Sequence, residues 1–512
     1  MSELHLPSSE APLAAVDMGS NSFRLETGQM VRGRYRRIHY IKETVRLGAG
    51  LDGNGLLTEQ AAERGLDCLR RFAMMLTGFA PAQVRAVATQ TLREARNRDA
   101  YLLRARATLG YPIEVISGRE EARLIYAGVA HLQPSDRRRL VIDIGGRSTE
   151  MILGQGEQAL RAESFAVGSV SLSMRHFPDG MLSAGRFRAA QVAAGAELEE
   201  GLATFAPGSW EEALGSSGTA GAVSQLLASA GRDDGVITPA NLQWLIQRCI
   251  AAGHIDRLEL PGLKPERRPV IAGGLALLYT LCAQFGIDRI SPTRGALRQG
   301  VIVDLHERLA ARRDGSSRAV ALVPGDRRDA SVAELQRRFE IDTEQACRVR
   351  GVALALYRGV APDDAEGARE LGWAADLHEL GLMVSHHDHH RHSAYLLSHV
   401  DAPAFSQTQQ RHLANIVLGQ RGGLRKIEDA LTDRRFALQV MALRLAAIKC
   451  HARSSVIDGA LSLATDGSAA SLRFSDAWAE SRPRTLYLLQ EEALAWERSG
   501  VMRLALDSSD RH

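Results

Sequence analysis

Lysine is almost missing from this chain. Of 63 basic residues only Lys42, Lys264, Lys426 and Lys449 are lysines, and none follows a glycine. That excludes the phosphate loop G-x-x-x-x-G-K; the arginine bias itself reads as genome base composition. Cysteine is scarce as well. Cys68, Cys249, Cys282, Cys347 and Cys450 are scattered, odd in number and without a C-x-x-C, which argues against structural zinc and favours a reducing, cytoplasmic compartment. Aromatic residues make up 5% of the chain, with no basic stripe interleaved among them, so nucleic acid is not an expected partner. Neither sign of charge dominates, and a net charge of +3 names no partner. The first residues, MSELHLPSSEAPLAAVD, carry no basic leader and are not expected to be a signal peptide. One long apolar run stands out, Val270 to Ile287, uncharged and about long enough for a marginal membrane span. It contains Gly273, Gly274, Thr280 and Gln284 and lies between mixed segments. A fully buried helix is expected there rather than a transmembrane segment, with peripheral membrane contact left open.

What is present is α/β patterning. At 512 residues the chain is too long for one core, and length suggests three or four domains. From residue 13 to about 305, short apolar runs (Leu13–Met18, Val84–Thr89, Ile113–Ile116, Leu140–Ile144) end in polar or glycine-rich turns. Helical patterns lie between them, such as Thr58–Leu76 with Leu66, Leu69, Phe72, Ala73 and Leu76 on one face. Residues Ala310–Ser331 turn polar and read as a linker. From Ala333 to about Cys450 the pattern is mostly helical. The last 60 residues look mixed, with Ala460–Leu463 and Ala470–Phe474 as candidate paired strands before a helix near Leu486–Arg498.

The apolar run VIDIGGRSTEMI, from Val141, has an echo. Near the N-terminus stands AAVDMGSNSFRL, from Ala14, and the two align as D-h-G-x-x-S. Asp17 matches Asp143, Gly19 matches Gly145 and Ser22 matches Ser148, which suggests two related lobes. Each glycine lets the backbone approach an anion, with turn N–H groups pointing at phosphate oxygens. The two aspartates could face each other across a cleft and hold Mg²⁺, a hard ion that prefers oxygen ligands. The competing reading is two hairpins with capped ends; the pair of motifs favours the phosphate cleft.

The stretch ISGREEARLIYAG, from Ile116, begins a helix. Ser117 and Glu120 have capping-box spacing, which occupies Glu120 and leaves Glu121 free to reach a water. Glu150 leaves the second loop on the next strand. On the residues alone, Glu121 as a helix-dipole residue and Glu150 as a solvated strand charge compete evenly with catalytic roles.

The set DMGSNS, ATQTLREARN, ISGREEARL, DIGGRSTE, GSSGTAG and GALRQGV, in that order, resembles the exopolyphosphatase / guanosine pentaphosphate phosphatase family of the actin-like ATPase superfamily. The resemblance implies an α/β fold of two ribonuclease-H-like lobes around a cleft (residues 1–125 and 126–310), then an all-α HD-like domain (311–450) and a small mixed α/β C-terminal domain (451–512). It implies Asp17 and Asp143 as metal-binding acids, with Mg²⁺ as cofactor and K⁺ as a candidate activator. It makes Gly19, Ser20, Asn21 and Ser22 the first phosphate loop, and Gly145, Gly146 and Ser148 the second. Arg93 becomes a phosphate-contacting arginine, Glu121 the general base and Glu150 a carboxylate that helps position the water. Gly215, Ser216, Ser217, Gly218 and Thr219 match the glycine-rich loop of the second lobe. Attack on a terminal phosphorus passes through a loose transition state, so positioning and electrostatics dominate.

The sequence departs from the family at Arg147, where a third glycine is usual. Two readings stand equal: Arg147 points into the cleft and adds a phosphate contact, or it points to solvent. Arg24 reads as a surface residue. In the helical region, WAADLHELGLMVSHHDHHRHSAYLL resembles an HD-type domain, but its pair is His378-Glu379. The upstream helix QACRVRGVALAL offers no histidine, so no competent metal site is expected. His386, His387, His389, His390 and His392 read first as a solvated basic turn. Metal binding and, with Arg391, guidance of a long polyanion are the alternatives.

The leading expectation is a cytoplasmic, Mg²⁺-dependent exopolyphosphatase acting on inorganic polyphosphate. Hydrolysis of guanosine pentaphosphate (pppGpp), the stringent-response branch, is the alternative. A sugar- or acetate-type kinase lacks its motifs here, and a non-catalytic sensor is disfavoured by Glu121 and Glu150. The family implies a homodimer.

Overall fold

The computed structural model describes residues 11–313, 326–453, 460–466 and 469–508; most of the expected linker and of the stretch read for a leader lies outside them. The chain divides into two compact units between Asp326 and Arg327.

In the first unit, two five-stranded sheets follow one plan. Strands β1 (Leu13–Met18), β2 (Ser22–Val31) and β3 (Arg34–Thr44) form an antiparallel meander. Strands β4 (Val84–Ala88) and β5 (Ile113–Val115) join in parallel on the far side of β1, giving the order β3-β2-β1-β4-β5. The second sheet repeats this with β6 (Arg139–Ile144), β7 (Thr149–Gln155), β8 (Gln158–Phe165), β9 (Glu212–Ser216) and β10 (Ile290–Pro292), in the order β8-β7-β6-β9-β10. Every residue of β1 and of β6 is buried, as expected of central strands covered on both faces. The echo seen in the loops extends further. Each meander has a register shift at the same place, Thr27/Gly28 and Leu153/Gly154. A Cβ on Gly28 would meet the Tyr35 ring at 2.4 Å and one on Gly154 the Tyr126 ring at 2.1 Å, so each bulge is a seat for a tyrosine.

Each lobe has its own core. In the first, the helix Glu59–Met75 buries Leu66, Leu69 and Phe72 against the sheet, the face expected from its spacing. In the second, the long apolar run forms the helix Ile271–Phe285, which buries Leu275, Leu278 and Leu281 among the lobe's side chains. Its glycine pair has a packing reason: a Cβ on Gly273 would lie 2.5 Å from the Ser169 carbonyl oxygen.

A third core joins the sheets through two helices, Gly118–Leu132 and Leu297–Arg313. They cross on glycines: a Cβ on Gly300 would sit 1.7 Å from the Leu124 carbonyl oxygen, and one on Gly128 2.5 Å from that of Ala296. Residues 125–126 and 310–311, the expected lobe boundaries, lie inside these two helices. Beside the crossing, buried Asp304 accepts hydrogen bonds from Arg85, Arg123 and Arg308, and that cationic ring holds its carboxyl well below the usual range.

The second unit is mostly helical, from Arg327–Arg338 to Arg434–Cys450, and ends in a three-stranded sheet. Strands β11 (Ser462–Asp466) and β12 (Ala469–Phe474) pair antiparallel as expected. Strand β13 (Arg503–Ser508) adds to β12 in parallel after the helix Pro483–Ser499. Trp373, Leu443, Leu472 and Trp496 belong to one core, so sheet and helices are packed together.

The histidine-rich stretch differs from a fully solvated turn. His386 and His387 are exposed, but His389 and His390 turn inward at the start of the helix His389–His399. Burial pushes both down to about 4, so they are neutral near pH 7. His378 is buried, with its Nδ1 2.7 Å from the Ala375 carbonyl oxygen. Among the described residues no three His, Cys, Asp or Glu side chains are grouped to hold a metal ion.

Candidate functional site

The two D-h-G-x-x-S turns face each other. Asp17, Gly19, Ser20, Asn21 and Ser22 line one wall of a cleft in the first unit, and Asp143, Gly145, Gly146 and Ser148 the other. The turns approach closely because their glycines carry no side chain: a Cβ on Gly146 would lie 3.2 Å from Ser20 Cβ. None of Gly19, Gly145, Gly146 and Arg147 has a positive φ. An arginine in the third position of the second turn therefore costs no backbone strain, and the glycines serve approach, not turn conformation. Ser22 Oγ is buried with no partner among the described residues; it lines the cleft as an available donor, which suits an anion.

Four carboxylates converge here. Asp17, Asp143, Glu121 and Glu150 are all buried, and Asp143 and Glu150 are cross-strand neighbours. Burial raises Asp143, and two serines and Arg24 offset that. Burial raises Glu121 as well, with Arg93 opposing and Asp143 and Asp17 adding to it. Glu150 is raised furthest, by burial and then by the charges of Glu121 and Asp143. Among the described residues no three of these side chains group around one metal position; a hard cation shared by Asp17 and Asp143 alone would relieve the repulsion. Glu150 is 1% exposed and lies behind the cleft wall, where Ser164 Oγ donates to its Oε1 at 2.8 Å; the solvated-charge reading is excluded. Glu121 lines the cleft itself.

Helix geometry explains why Glu121 is the member of its pair that lines the cleft. Ser117 Oγ accepts from Glu120 N at 3.1 Å, which caps the helix as expected. The Glu120 carboxylate accepts from Arg123 and lies 3.6 Å from Arg85, at the helix-crossing network. One residue on, Glu121 turns to the opposite side, where Arg93 Nη1 donates to its Oε2 at 2.8 Å. Arg93 stands beside Glu121 and also donates to the Ile116 carbonyl at 2.9 Å; it does not line the cleft wall.

The glycine-rich loop is divided. Ser217, Gly218 and Thr219 line the cleft, whereas Gly215 and Ser216 end strand β9 beneath it. Ser216 Oγ donates to the Gly295 carbonyl, and Thr219 Oγ1 to that of Ile144, at 3.0 Å each. These two hydroxyls brace the loop.

Two expectations about arginines are corrected. Arg147 points neither into the cleft nor to solvent: it crosses to the first lobe and pairs with Glu94 and the Gly48 carbonyl, because Glu94 offers a carboxylate within reach. Arg24 is no surface residue. It lines the cleft and donates to Asp17 Oδ2 at 2.9 Å, as its cross-strand position dictates. Arg267 and Arg298 also line the cleft and were not singled out from the sequence. Arg298 lies in GALRQGV and reaches Asp17 Oδ2 at 3.4 Å and Glu26 Oε2 at 3.1 Å. A usable signal existed for Arg24, which follows Asp17 by the same interval as Glu150 follows Asp143; Arg267 had none.

Residues 29–309 match the Ppx/GppA phosphatase family, and residues 327–493 match Ppx/GppA phosphatase, domain III. The guanosine-5'-triphosphate,3'-diphosphate pyrophosphatase of Vibrio vulnificus is 36% identical over 94% of this chain and 95% of its own. The protein of that name from Aeromonas hydrophila is 36% identical over 91% of this chain and 92% of its own. Among solved structures, an exopolyphosphatase from Cytophaga hutchinsonii superposes with a TM-score of 0.52 at 24% identity, covering 58% of this chain and 98% of its own. That likeness carries the fold of the first unit.

Proposed function

This chain belongs to the Ppx/GppA phosphatase family, hydrolases of phosphoanhydride bonds, and we propose that it removes the terminal 5'-phosphate of guanosine-5'-triphosphate,3'-diphosphate. The observation that carries the chemistry is the placement of Glu121: buried, lining the cleft and held at one oxygen by Arg93. Its other oxygen is left to take a proton from water. The water oxygen attacks the terminal phosphorus, the bond to the bridging oxygen breaks, and orthophosphate leaves. Glu150 lies behind and helps to orient the water. Ser22, the two turns, Arg24 and Arg267 bind the phosphates. Asp17 and Asp143 are the residues that would hold Mg²⁺, which would supply charge neutralisation. Serving as a base at neutral pH suits a carboxylate raised by burial and restrained by one arginine.

The nucleotide is favoured by the two relatives named for it, which match nearly the whole chain. Inorganic polyphosphate is the second reading. It is the leading expectation from the sequence, and one observation of the cleft favours it: among the described residues no aromatic side chain lines the wall to stack a base. A cytoplasmic homodimer belongs to the same reading.

The deciding experiment compares kcat/KM for pppGpp and for long-chain polyphosphate, with Mg²⁺, reading released phosphate and using Glu121→Gln as the blank. Preference for the nucleotide, lost in the blank, supports the proposal. Preference for polyphosphate moves the substrate and keeps the residues. Release from neither overturns both substrate readings, and release that survives in the blank overturns the role of Glu121.

A further inference from the structure

One guanidinium joins three segments around the cleft. Arg147 belongs to the second phosphate turn, yet its side chain crosses to the first lobe. Its Nε donates to Glu94 Oε2 at 3.0 Å, its Nη2 lies 2.7 Å from the same oxygen, and its Nη1 donates to the Gly48 carbonyl at 3.3 Å. Gly48 is shaped for this contact: a Cβ there would meet Arg147 Cδ at 2.8 Å.

Both partners are tied to the site. Gly48 N donates to the Ser20 carbonyl at 2.8 Å, which fixes the first phosphate turn. Glu94 ends the short helix Gln90–Glu94. Gln90 Nε2 donates to Glu94 Oε1 at 2.6 Å, and Arg93 Nε donates to Gln90 Oε1 at 2.9 Å. Arg93 in turn donates to Glu121 Oε2. An unbroken run of hydrogen bonds, most of them charge-assisted, thus leads from the second turn to the general base.

We infer that Arg147 is a positioning residue: a clasp between the lobes that sets Arg93 beside Glu121 through Glu94 and Gln90. It touches no substrate. The inference rests on the reading of Glu121 as base. The Arg147 and Glu94 side chains are 23% and 32% exposed. Solvent screens the pair, so breaking it loosens geometry more than it lowers stability.

The test uses Arg147→Gly, Glu94→Gln and the double variant, each first shown to unfold within a few degrees of the parent. Hydrogen exchange of the amides at 46–50 and 90–94 is compared without substrate, then kcat and KM with it. Both single variants are expected to exchange faster at both segments and to lose about tenfold in kcat, the worth of one charge-assisted bond, with KM changed less than about twofold. The double variant is expected to lose no more than either single one. Unchanged exchange at 46–50 and 90–94 overturns the clasp. So does opposite behaviour of the two variants, with KM raised by Arg147→Gly and lowered by Glu94→Gln, because that marks Arg147 as a direct phosphate ligand. If the parent protein hydrolyses neither substrate, the functional reading fails, and the exchange measurement still decides the clasp.

Discussion

Asp143 and Glu150 face each other across the β6–β7 hairpin, at the positions where Asp17 and Arg24 face each other across β1–β2. The same backbone plan thus sets an acid beside an acid in one lobe and an acid beside a base in the other. The acidic hairpin carries raised carboxyls. In the other, Asp17 is held by Arg24 and Arg298. The two hairpins thus carry opposite partners beside matched aspartates.

Glu121→Gln keeps the shape of the side chain and removes the proposed base. kcat is expected to fall by a factor of about 10² to 10⁴, and phosphate release by the parent is expected to require Mg²⁺. Steady-state kinetics with a chelator control measure this. A loss of less than about tenfold would assign the base elsewhere.

Arg93 opposes the burial that raises Glu121. Removing it in Arg93→Gln raises Glu121 further, so the base becomes protonated at a higher pH. The acid limb of the kcat/KM profile is expected to move to higher pH, with lower activity at neutral pH that partly recovers as pH rises. A pH–rate profile from 5 to 9 checks the direction; a limb that stays in place separates Arg93 from Glu121.

The helix crossing between the lobes has no room for a methyl group at Gly300. Gly300→Ala is expected to destabilise the first unit by about 3 kcal/mol, the upper range for overpacking. Gly351 lies in the helix Thr343–Val360, with open space around its Cβ position. Gly351→Ala is expected to stabilise the second unit by about 0.5–1 kcal/mol through helix propensity. Thermal unfolding of both variants tests the contrast.

His389 and His390 have folded-state values of about 4, below the ordinary value of 6.5. Their contribution is intact above about pH 6.5 and is lost as pH falls toward 4, because the unfolded chain takes up protons first. Each is expected to cost on the order of 1 kcal/mol by pH 5 once solvent screening is allowed for. Asp376, pushed up to about 6, acts in the opposite sense as pH falls from 6 to 4 and returns part of this. The second unit should therefore melt lower at pH 5 than at pH 7.5, and His390→Gln should flatten the difference. Equal melting temperatures for the parent at the two pH values would refute it.

Much of this was legible in sequence because it is local. The strand Leu13–Met18, the helix opened by Ser117 and the two D-h-G-x-x-S turns are each set by a few adjacent residues with a definite period or cap. The carboxylates Asp17, Asp143, Glu121 and Glu150 were named for the same reason. What escaped depends on distant partners. Arg147 has Glu94 within reach only once the lobes meet, and Arg267 enters the cleft from a segment with no motif of its own. His389 and His390 looked solvated because their neighbours are polar; the tertiary packing of the helix they begin turned them inward. The apolar run at Val270 was read rightly as a core helix, since its paired glycines suit close packing against protein.

The matched bulges at Gly28 and Gly154 mark the two sheets as versions of one design, and that bears on what a symmetric ancestor could do. Two identical lobes would place either two Asp–Arg hairpins or two Asp–Glu hairpins across the cleft. The first would lack the second carboxylate that Glu150 supplies; the second would crowd four like charges with no arginine beside them. Joining both halves in one chain frees each position from its copy, so a single residue can be changed on one wall alone. A two-fold axis would forbid the polarity seen here, an acid beside an arginine in one lobe and an acid beside an acid in the other.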